Sequence, residues 1–303
     1  MTATRLLPLA ALALALAACK GTAPQPEAAK PATPAATPGR TAAAASAADD
    51  NLNAVAWVQT SVEYQAISRQ TYHAAAQLLD RALAEKWNAL IPEERPADVG
   101  DGLPPAVVMD IDETVLDNSP YQARLVAGGK EYDEVTWDAW VAEKKARALP
   151  GVVDFARAAQ AKGITLLYLS NRSEHLQAAT LANLRAVGMP VKDESVFLGL
   201  GTHVEGCEQN GSEKTCRRQL AGRQYRVVMQ FGDQLGDFAQ ILANTPDGRT
   251  KLYEAHRDWF GERWWMLPNP TYGSWEPALF NNDFGQPREA RREAKRGALR
   301  QDR

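Results

Sequence analysis

Cysteine and histidine are scarce in this 303-residue chain, which has three of the first and four of the second. They do not cluster, so a zinc site built from Cys and His ligands has no basis. A charge excess of either sign is also missing. The 34 basic and 37 acidic side chains leave a net charge of −3, which gives no footprint for nucleic acid or a polyanion. The apolar stretch Leu6 to Ala15 is too short to cross a bilayer as a mature helix. Large apolar residues are almost absent from Lys20 to about Asp50, where Ala, Pro and Thr predominate. Such a segment cannot build a core and reads as a flexible tether over residues 19–50. The remaining chain, in a sequence that is 45% hydrophobic, suffices for one domain of about 200–250 residues with extensions.

Within that domain the sequence is organised around Val107-Val108-Met109-Asp110-Ile111-Asp112-Glu113-Thr114-Val115-Leu116-Asp117-Asn118-Ser119. An apolar strand run delivers Asp110 and Asp112 where it breaks into a polar loop. Residues two apart in an extended chain share a face, so both carboxylates are expected to project together. The carboxyl end of a strand is where open α/β sheets keep their sites. Two carboxylates that close repel unless a cation or a shared proton intervenes, and Mg²⁺ is the natural hard cation for them.

The other elements follow from periodicity and breakers. Asn51 to about Leu90 has helical spacing and ends before Pro92 and Pro96. Pro120 to Pro150 carries Trp137, Trp140 and Val141 at helical spacing, with Gly128-Gly129 as a turn. Tryptophans so spaced serve as core, or they stack on a flat ring. A helix over Gly151 to Ala161 leads to a buried strand, Ile164 to Leu169, that ends at Ser170-Asn171-Arg172. A right-handed crossover places this strand beside the first and Ser170 near Asp110. The Ser170 hydroxyl is suited to phosphate oxygens or to capping a helix, and Ser173-Glu174 can cap in its place. Leu176 to Val187 reads as a helix, and Val196 to Leu198 as a short strand. Tyr225 to Phe231 reads as a strand that ends in Gly232-Asp233-Gln234-Leu235-Gly236-Asp237, so two more carboxylates meet at a strand end. Arg288 to Arg303 is expected to be a charged, solvated helix. Cys207 and Cys216 flank a Gly-containing turn, either as a disulfide or as two free thiols.

Asp-Ile-Asp-Glu-Thr-Val-Leu-Asp-Asn-Ser (110–119) resembles the first motif of haloacid dehalogenase-like phosphohydrolases, in the longer form of class C bacterial acid phosphatases and outer-membrane lipoprotein 5'-nucleotidases. Trp57-Val58-Gln59, Glu63-Tyr64-Gln65-Ala66 and Leu267-Pro268-Asn269-Pro270 with Tyr272-Gly273-Ser274-Trp275 also look like class C. The resemblance runs from about Trp57 to Glu276. It implies a parallel-sheet, Rossmann-like α/β core with a small inserted cap and an N-terminal helical extension.

By the same resemblance, Asp110 is the nucleophile and Asp112 the general acid and base. Ser170 and Lys214, the latter in a Lys-x-x-Arg pattern with Arg217, hold phosphate. Mg²⁺ is bound by Asp110, Asp112 through its main-chain oxygen, and Asp233, with Asp237 in support. Gln234 departs from the Asn or Thr common at its place, which bears on fine specificity. Trp137, Trp140 and Tyr272 are candidate substrate contacts, although a tyrosine on an exposed turn needs no such role.

Leu16-Ala17-Ala18-Cys19 resembles a bacterial lipobox, with 1–18 as a lipoprotein signal peptide and Cys19 lipidated. An ordinary secretory signal is the other reading. Lys20 rather than aspartate follows the cysteine, which by resemblance favours the outer membrane. The domain is expected over 51–286, the cap over roughly 118–150, and a tail over 287–303. The expected activity is a Mg-dependent acid phosphatase or 5'-nucleotidase. Its expected partners are a small phosphomonoester, a membrane reached through the lipid anchor, no nucleic acid, and a second copy of the chain in a homodimer. A non-catalytic surface lipoprotein using the same fold to bind a ligand is the rival reading, and the presence of both Asp110 and Asp112 argues against it.

Overall fold

The computed structural model describes residues 50–96 and 102–302. The expected signal peptide, Cys19 and the tether up to residue 49 lie outside the described residues. In chain order the helices and strands are α1 (Leu52–Thr60), α2 (Val62–Ala84), β1 (Pro105–Met109), β2 (Leu116–Asp117), α3 (Ser119–Gly128), α4 (Glu134–Glu143), β3 (Arg147–Ala148), α5 (Val152–Ala161), β4 (Thr165–Ser173), α6 (Gln177–Ala186), β5 (Phe197–Leu200), α7 (Thr215–Gln224), β6 (Arg226–Gly232), α8 (Pro246–His256), β7 (Trp264–Met266) and α9 (Arg288–Gly297). Among the described residues no helix is long and apolar enough to cross a membrane.

The five-stranded sheet has the order β5-β4-β1-β6-β7, and every pairing in it is parallel. The expected α/β class is therefore present. β1 is central, and Ala106, Val107, Val108 and Met109 are all buried. A strand covered on both faces reads as a continuous apolar run, as this one does. Because the strands are parallel, their carboxyl ends lie along one edge, and residues following β1, β4 and β6 converge there.

The N-terminal helix differs from its expectation. Its spacing predicts one helix to about Leu90, but the chain breaks at Ser61, whose backbone is extended and whose Oγ accepts the Tyr64 N–H at 3.1 Å. A capped serine starts a new helix without disturbing the apolar period. α2 packs on the sheet through Tyr72, whose ring stacks on Phe231 at 5.3 Å and whose hydroxyl donates to the Thr114 carbonyl at 2.7 Å. A Cβ at Gly151 would lie 3.1 Å from the Arg69 Cα, so the entry to α5 needs a glycine against α2.

The inserted cap comprises α3 and α4 between the antiparallel ribbon β2–β3, in which Leu116 pairs with Ala148. Gly129 closes α3 in the left-handed region with φ 59°. The C-terminal helix has no buried residue, as expected of a charged, solvated helix, and surface ion pairs tie it down. Arg291 meets Glu131 of the cap at 2.6 Å, Arg292 meets Asp50 at 2.7 Å, and Lys295 meets Glu276 at 2.7 Å.

Candidate active site

The two aspartates stand between β1 and the turn that follows it. β1 stops at Met109, and the Ile111 carbonyl accepts the N–H groups of Val115 and Leu116, each at 2.8 Å. Asp112 still forms an isolated bridge with Leu116, and the turn proper runs over Glu113 to Val115. The two carboxylates meet different partners.

Asp110 faces the acidic group. Carboxylate oxygens of Asp110, Asp233 and Asp237 all lie within 4.8 Å of one another. The Lys214 ammonium is wedged among them, donating to Asp110 Oδ1 at 2.5 Å, Asp237 Oδ1 at 2.7 Å and the Leu169 carbonyl at 3.1 Å. All three of its protons are thereby used. Burial, opposed by Lys214 and reinforced by the charges of Asp237 and Asp112, leaves the Asp110 carboxyl raised to about 7. Burial and the charges of Asp237 and Asp110 raise Asp233 well above the usual range. Burial acts to lower the Lys214 pKa, but the two carboxylates it touches outweigh this and leave it raised.

An all-oxygen set of carboxylates whose ionisation is suppressed by mutual repulsion fits a divalent hard cation, which would relieve that repulsion. Outer partners hold these ligands in place. Asn269 Nδ2 and Gln234 Nε2 donate to Asp233 Oδ2 at 2.7 and 2.8 Å, and the Gln234 N–H donates to Asp237 Oδ2 at 2.8 Å. A Cβ at Gly232 would sit 2.3 Å from an Asp237 carboxylate oxygen, so only glycine admits Asp237 there. A cleft of about 410 Å³ opens beside this group, lined by Asp233, Arg249, Met266, Asn269 and Trp275 among others.

The Asp112 carboxylate is not in that group, although its charge still acts on Asp110. It is gripped by Arg172, which donates from Nη2 at 2.7 Å and Nε at 3.0 Å, and by Asn118 Nδ2 at 2.8 Å. Ser170 Oγ lies 3.4 Å from its other oxygen. Ser170 is not released by a neighbouring cap, because Ser173 makes no capping bond and β4 continues through it. The Ser170 hydroxyl instead accepts the Arg172 N–H at 3.0 Å.

Of the cap tryptophans, Trp137 is half-buried, with the Arg172 guanidinium 5.5 Å from its ring and Tyr121 edge-on at 5.2 Å. Trp140 is 3% exposed, and its Nε1 donates to Asn118 Oδ1 at 2.8 Å. The Arg124 guanidinium covers its ring at 5.0 Å, so Trp140 packs the cap onto Asn118 rather than meeting a ring of a substrate. The Tyr272 hydroxyl donates to Glu113, a buried side chain on a left-handed backbone with φ 59°. Burial and the charges of Asp112 and Asp233 raise the Glu113 carboxyl well above its usual range, and it also accepts the Asn118 N–H at 2.7 Å. Cys207 and Cys216 are bonded, with Cα atoms 5.6 Å apart, beside Lys214 at the start of α7. Arg217, fully buried, donates to the Ser170 carbonyl at 2.5 Å and to Asn171 Oδ1 at 2.8 Å.

Arg172, Asn118, Glu113 and Asn269 complete the site without having been singled out by sequence reasoning. Arg172 had a readable signal, because it stands two residues after Ser170 on a strand and so shares its face.

Comparison with known proteins agrees with this geometry. The pattern of the HAD superfamily, subfamily IIIB (acid phosphatase), matches residues 27–275. The solved structure of the class C acid phosphatase from Bacillus anthracis is 34% identical, with a TM-score of 0.72, over 84% of this chain and 98% of that one. Acid phosphatase 1 of Solanum lycopersicum is 26% identical over 178 residues, 59% of this chain and 62% of its own length. A stem 31 kDa glycoprotein of Glycine max is 30% identical over 166 residues, 54% of this chain and 58% of its own. The chain thus spans less than two thirds of these plant relatives. With the match to the subfamily pattern extending over most of the sequence, the chain belongs to the HAD superfamily, subfamily IIIB, the acid phosphatases.

Proposed function

We propose that the chain is an exported, Mg²⁺-dependent acid phosphatase that hydrolyses phosphate monoesters, nucleoside monophosphates among them, as a 5'-nucleotidase does. The observation that carries this reading is the convergence of Asp110, Asp233 and Asp237 around the Lys214 ammonium at the carboxyl edge of the sheet. The three aspartates, with the main-chain oxygen of Asp112 by resemblance, would hold the metal. Once bound, the ion offsets the negative charge shared by nucleophile and phosphate.

A carboxylate oxygen of Asp110 attacks phosphorus, and the bond from phosphorus to the ester oxygen breaks. Asp112, oriented by Arg172 and Asn118, gives the leaving oxygen its proton. Asp112 then takes a proton from water, whose oxygen displaces Asp110 from phosphorus and frees phosphate. Ser170 and Lys214 hold the phosphoryl oxygens. Lys214 has no spare proton, so its bond to Asp110 must pass to the phosphoryl group. Phosphorylation of Asp110 removes the charge that held that bond, so the exchange accompanies the chemistry. Trp137 and Tyr272 are proposed to flank the leaving group.

The lipobox-like Leu16-Ala17-Ala18-Cys19 supports a lipid anchor in the outer membrane. Cys19→Ser is expected to release the protein from membranes or leave it unprocessed, which fractionation and lipid labelling would read. The decisive experiment for activity is a panel of nucleoside monophosphates and 4-nitrophenyl phosphate, assayed with and without Mg²⁺. Hydrolysis that needs Mg²⁺ is expected, and absence of turnover on every ester would overturn the proposal.

A further inference from the structure

One fully buried arginine lies outside the catalytic motifs and is used completely. Arg218, in α7, is 0% exposed and pairs with Glu94, 2% exposed, in the short turn Pro92–Glu94 that follows the N-terminal helices. Its Nε and Nη2 donate to the two Glu94 oxygens at 2.6 Å each. Nη2 also reaches Thr215 Oγ1 at 3.2 Å, and Nη1 donates to the carbonyls of Gly236 and Asp237 at 2.8 and 3.2 Å. A guanidinium has five N–H donors in a fixed fork, and all five are directed at these acceptors.

Stability alone does not account for this arrangement. A buried ion pair loses so much hydration that an apolar pair of similar volume is often as stable. The elements joined by Arg218 are more informative. α7 starts one residue after Lys214, and the Arg218 N–H closes a helical turn on the Lys214 carbonyl at 2.9 Å. The turn Leu235–Asp237 carries Asp237, whose carboxylate meets Lys214 at 2.7 Å. Arg218 therefore ties the backbone of the lysine's helix to the backbone of the aspartate's turn. Glu94 fixes the guanidinium from the opposite side. The N-terminal segment is braced against α7 at Gly222 as well, where an added Cβ would lie 2.7 Å from Leu90 Cδ1.

We propose that Arg218, held by Glu94, is a positioning residue that sets the spacing between Lys214 and Asp237 and so the affinity of the aspartate group for its divalent cation. This deepens the proposed function and rests on it for the identity of the ion. The N-terminal extension then contributes to the site from behind the sheet edge, without touching substrate.

Two variants of the full chain test this. Arg218→Lys keeps a cation opposite Glu94 but cannot also reach both carbonyls of the turn. Glu94→Leu/Arg218→Met removes the pair while leaving no buried charge alone. Mg²⁺ is titrated calorimetrically into wild type and both variants, and the thermal midpoint is measured with and without Mg²⁺. Loss of an outer partner of a metal ligand costs about 10–100-fold in metal affinity. That weakening is expected in both variants, with a smaller Mg²⁺-induced rise in the midpoint when each is compared with its own metal-free midpoint. An affinity within about twofold of wild type in either folded variant would overturn the proposal, as would failure of both to fold, which marks the pair as a stability element. If wild type binds Mg²⁺ but hydrolyses no phosphate ester, the phosphatase reading fails while the positioning role is still measured.

Discussion

Replacing Asp112 by Asn separates proton transfer from nucleophilic attack and also disturbs a buried charge. Arg172 is 1% exposed at its side chain and Asp112 16%, so the substitution leaves a guanidinium in the interior without its counter-ion. Breaking a buried pair costs about 3–5 kcal/mol, and the lower end applies because the Asn Oδ1 can still accept from Arg172 and Asn118. At about 2–4 °C per kcal/mol for a domain this size, the midpoint should fall by about 6–12 °C. Assays well below that midpoint then isolate the chemistry.

Loss of a positioned acid costs about 10²–10⁴ in rate when the leaving group needs the proton. A nucleoside leaves as an alcohol and needs it, whereas nitrophenolate leaves as the anion. The measurement is kcat/KM on a nucleoside monophosphate and on 4-nitrophenyl phosphate, a ratio that covers the first chemical step. Asp112→Asn should lose far more on the nucleotide, and phosphoenzyme should accumulate when the second step is slowed. Asp110→Asn should lose orders of magnitude on both substrates, with no trapped intermediate. Equal losses on both substrates for Asp112→Asn would refute its acid role. An active Asp110→Asn would refute the nucleophile.

The raised carboxyls of Asp110 and Asp233 hold protons that a cation must displace. Mg²⁺ affinity should therefore fall as pH drops below about 7, with proton release visible as a buffer-dependent calorimetric heat near pH 6. Replacing both Cys207 and Cys216 by Ser opens a loop of sequence separation 9, a loss of about 2–3 kcal/mol in the chain-entropy account. Because Lys214 lies inside that loop, kcat/KM should fall by a larger factor than the midpoint shift explains, and parallel loss of both would count against the positional reading. Burial acts to raise the Asp50 carboxyl, but Arg292 and neighbouring cations outweigh it and bring the group below the usual carboxylate range. A depressed acid contributes stability above its unfolded pKa and loses it as pH falls through the folded value. Hydrogen exchange in α9 should thus rise below about pH 4, and also in high salt, which screens exposed pairs.

The core of the fold was legible where side-chain period and burial coincide. β1 and β6 read as apolar runs because both of their faces are covered, and the acids at their ends followed. What escaped was of two kinds. Single-residue breaks such as Ser61, and the turn that follows Asp112, change backbone direction without altering apolar spacing. Partners distant in sequence leave no local pattern. Arg172 and Asp112 are 60 positions apart, Arg218 and Glu94 124, and Arg291 and Glu131 160. The disulfide pair and the lysine between its cysteines were readable from the resemblance and the turn between them, but the bond of Lys214 to Asp237 was not.

The ribbon at the foot of the cap bears on how this protein can change over evolutionary time. Asp117 and Arg147 face each other across an antiparallel pair, so the chain leaves the core and returns to it about 5 Å away. Whatever lies between them contributes no strand to the central sheet, and lengthening it costs only a slowly growing closure entropy as long as the side chains it packs on the core are kept. With Asn118 kept, residues 119–146 can therefore be exchanged for a segment of another size without shifting the register that aligns Asp110 with Asp233. A graft ending at that ribbon and keeping Asn118 would inherit the acidic group intact and change chiefly what is admitted to it, which makes the cap the natural unit of transplantation between relatives.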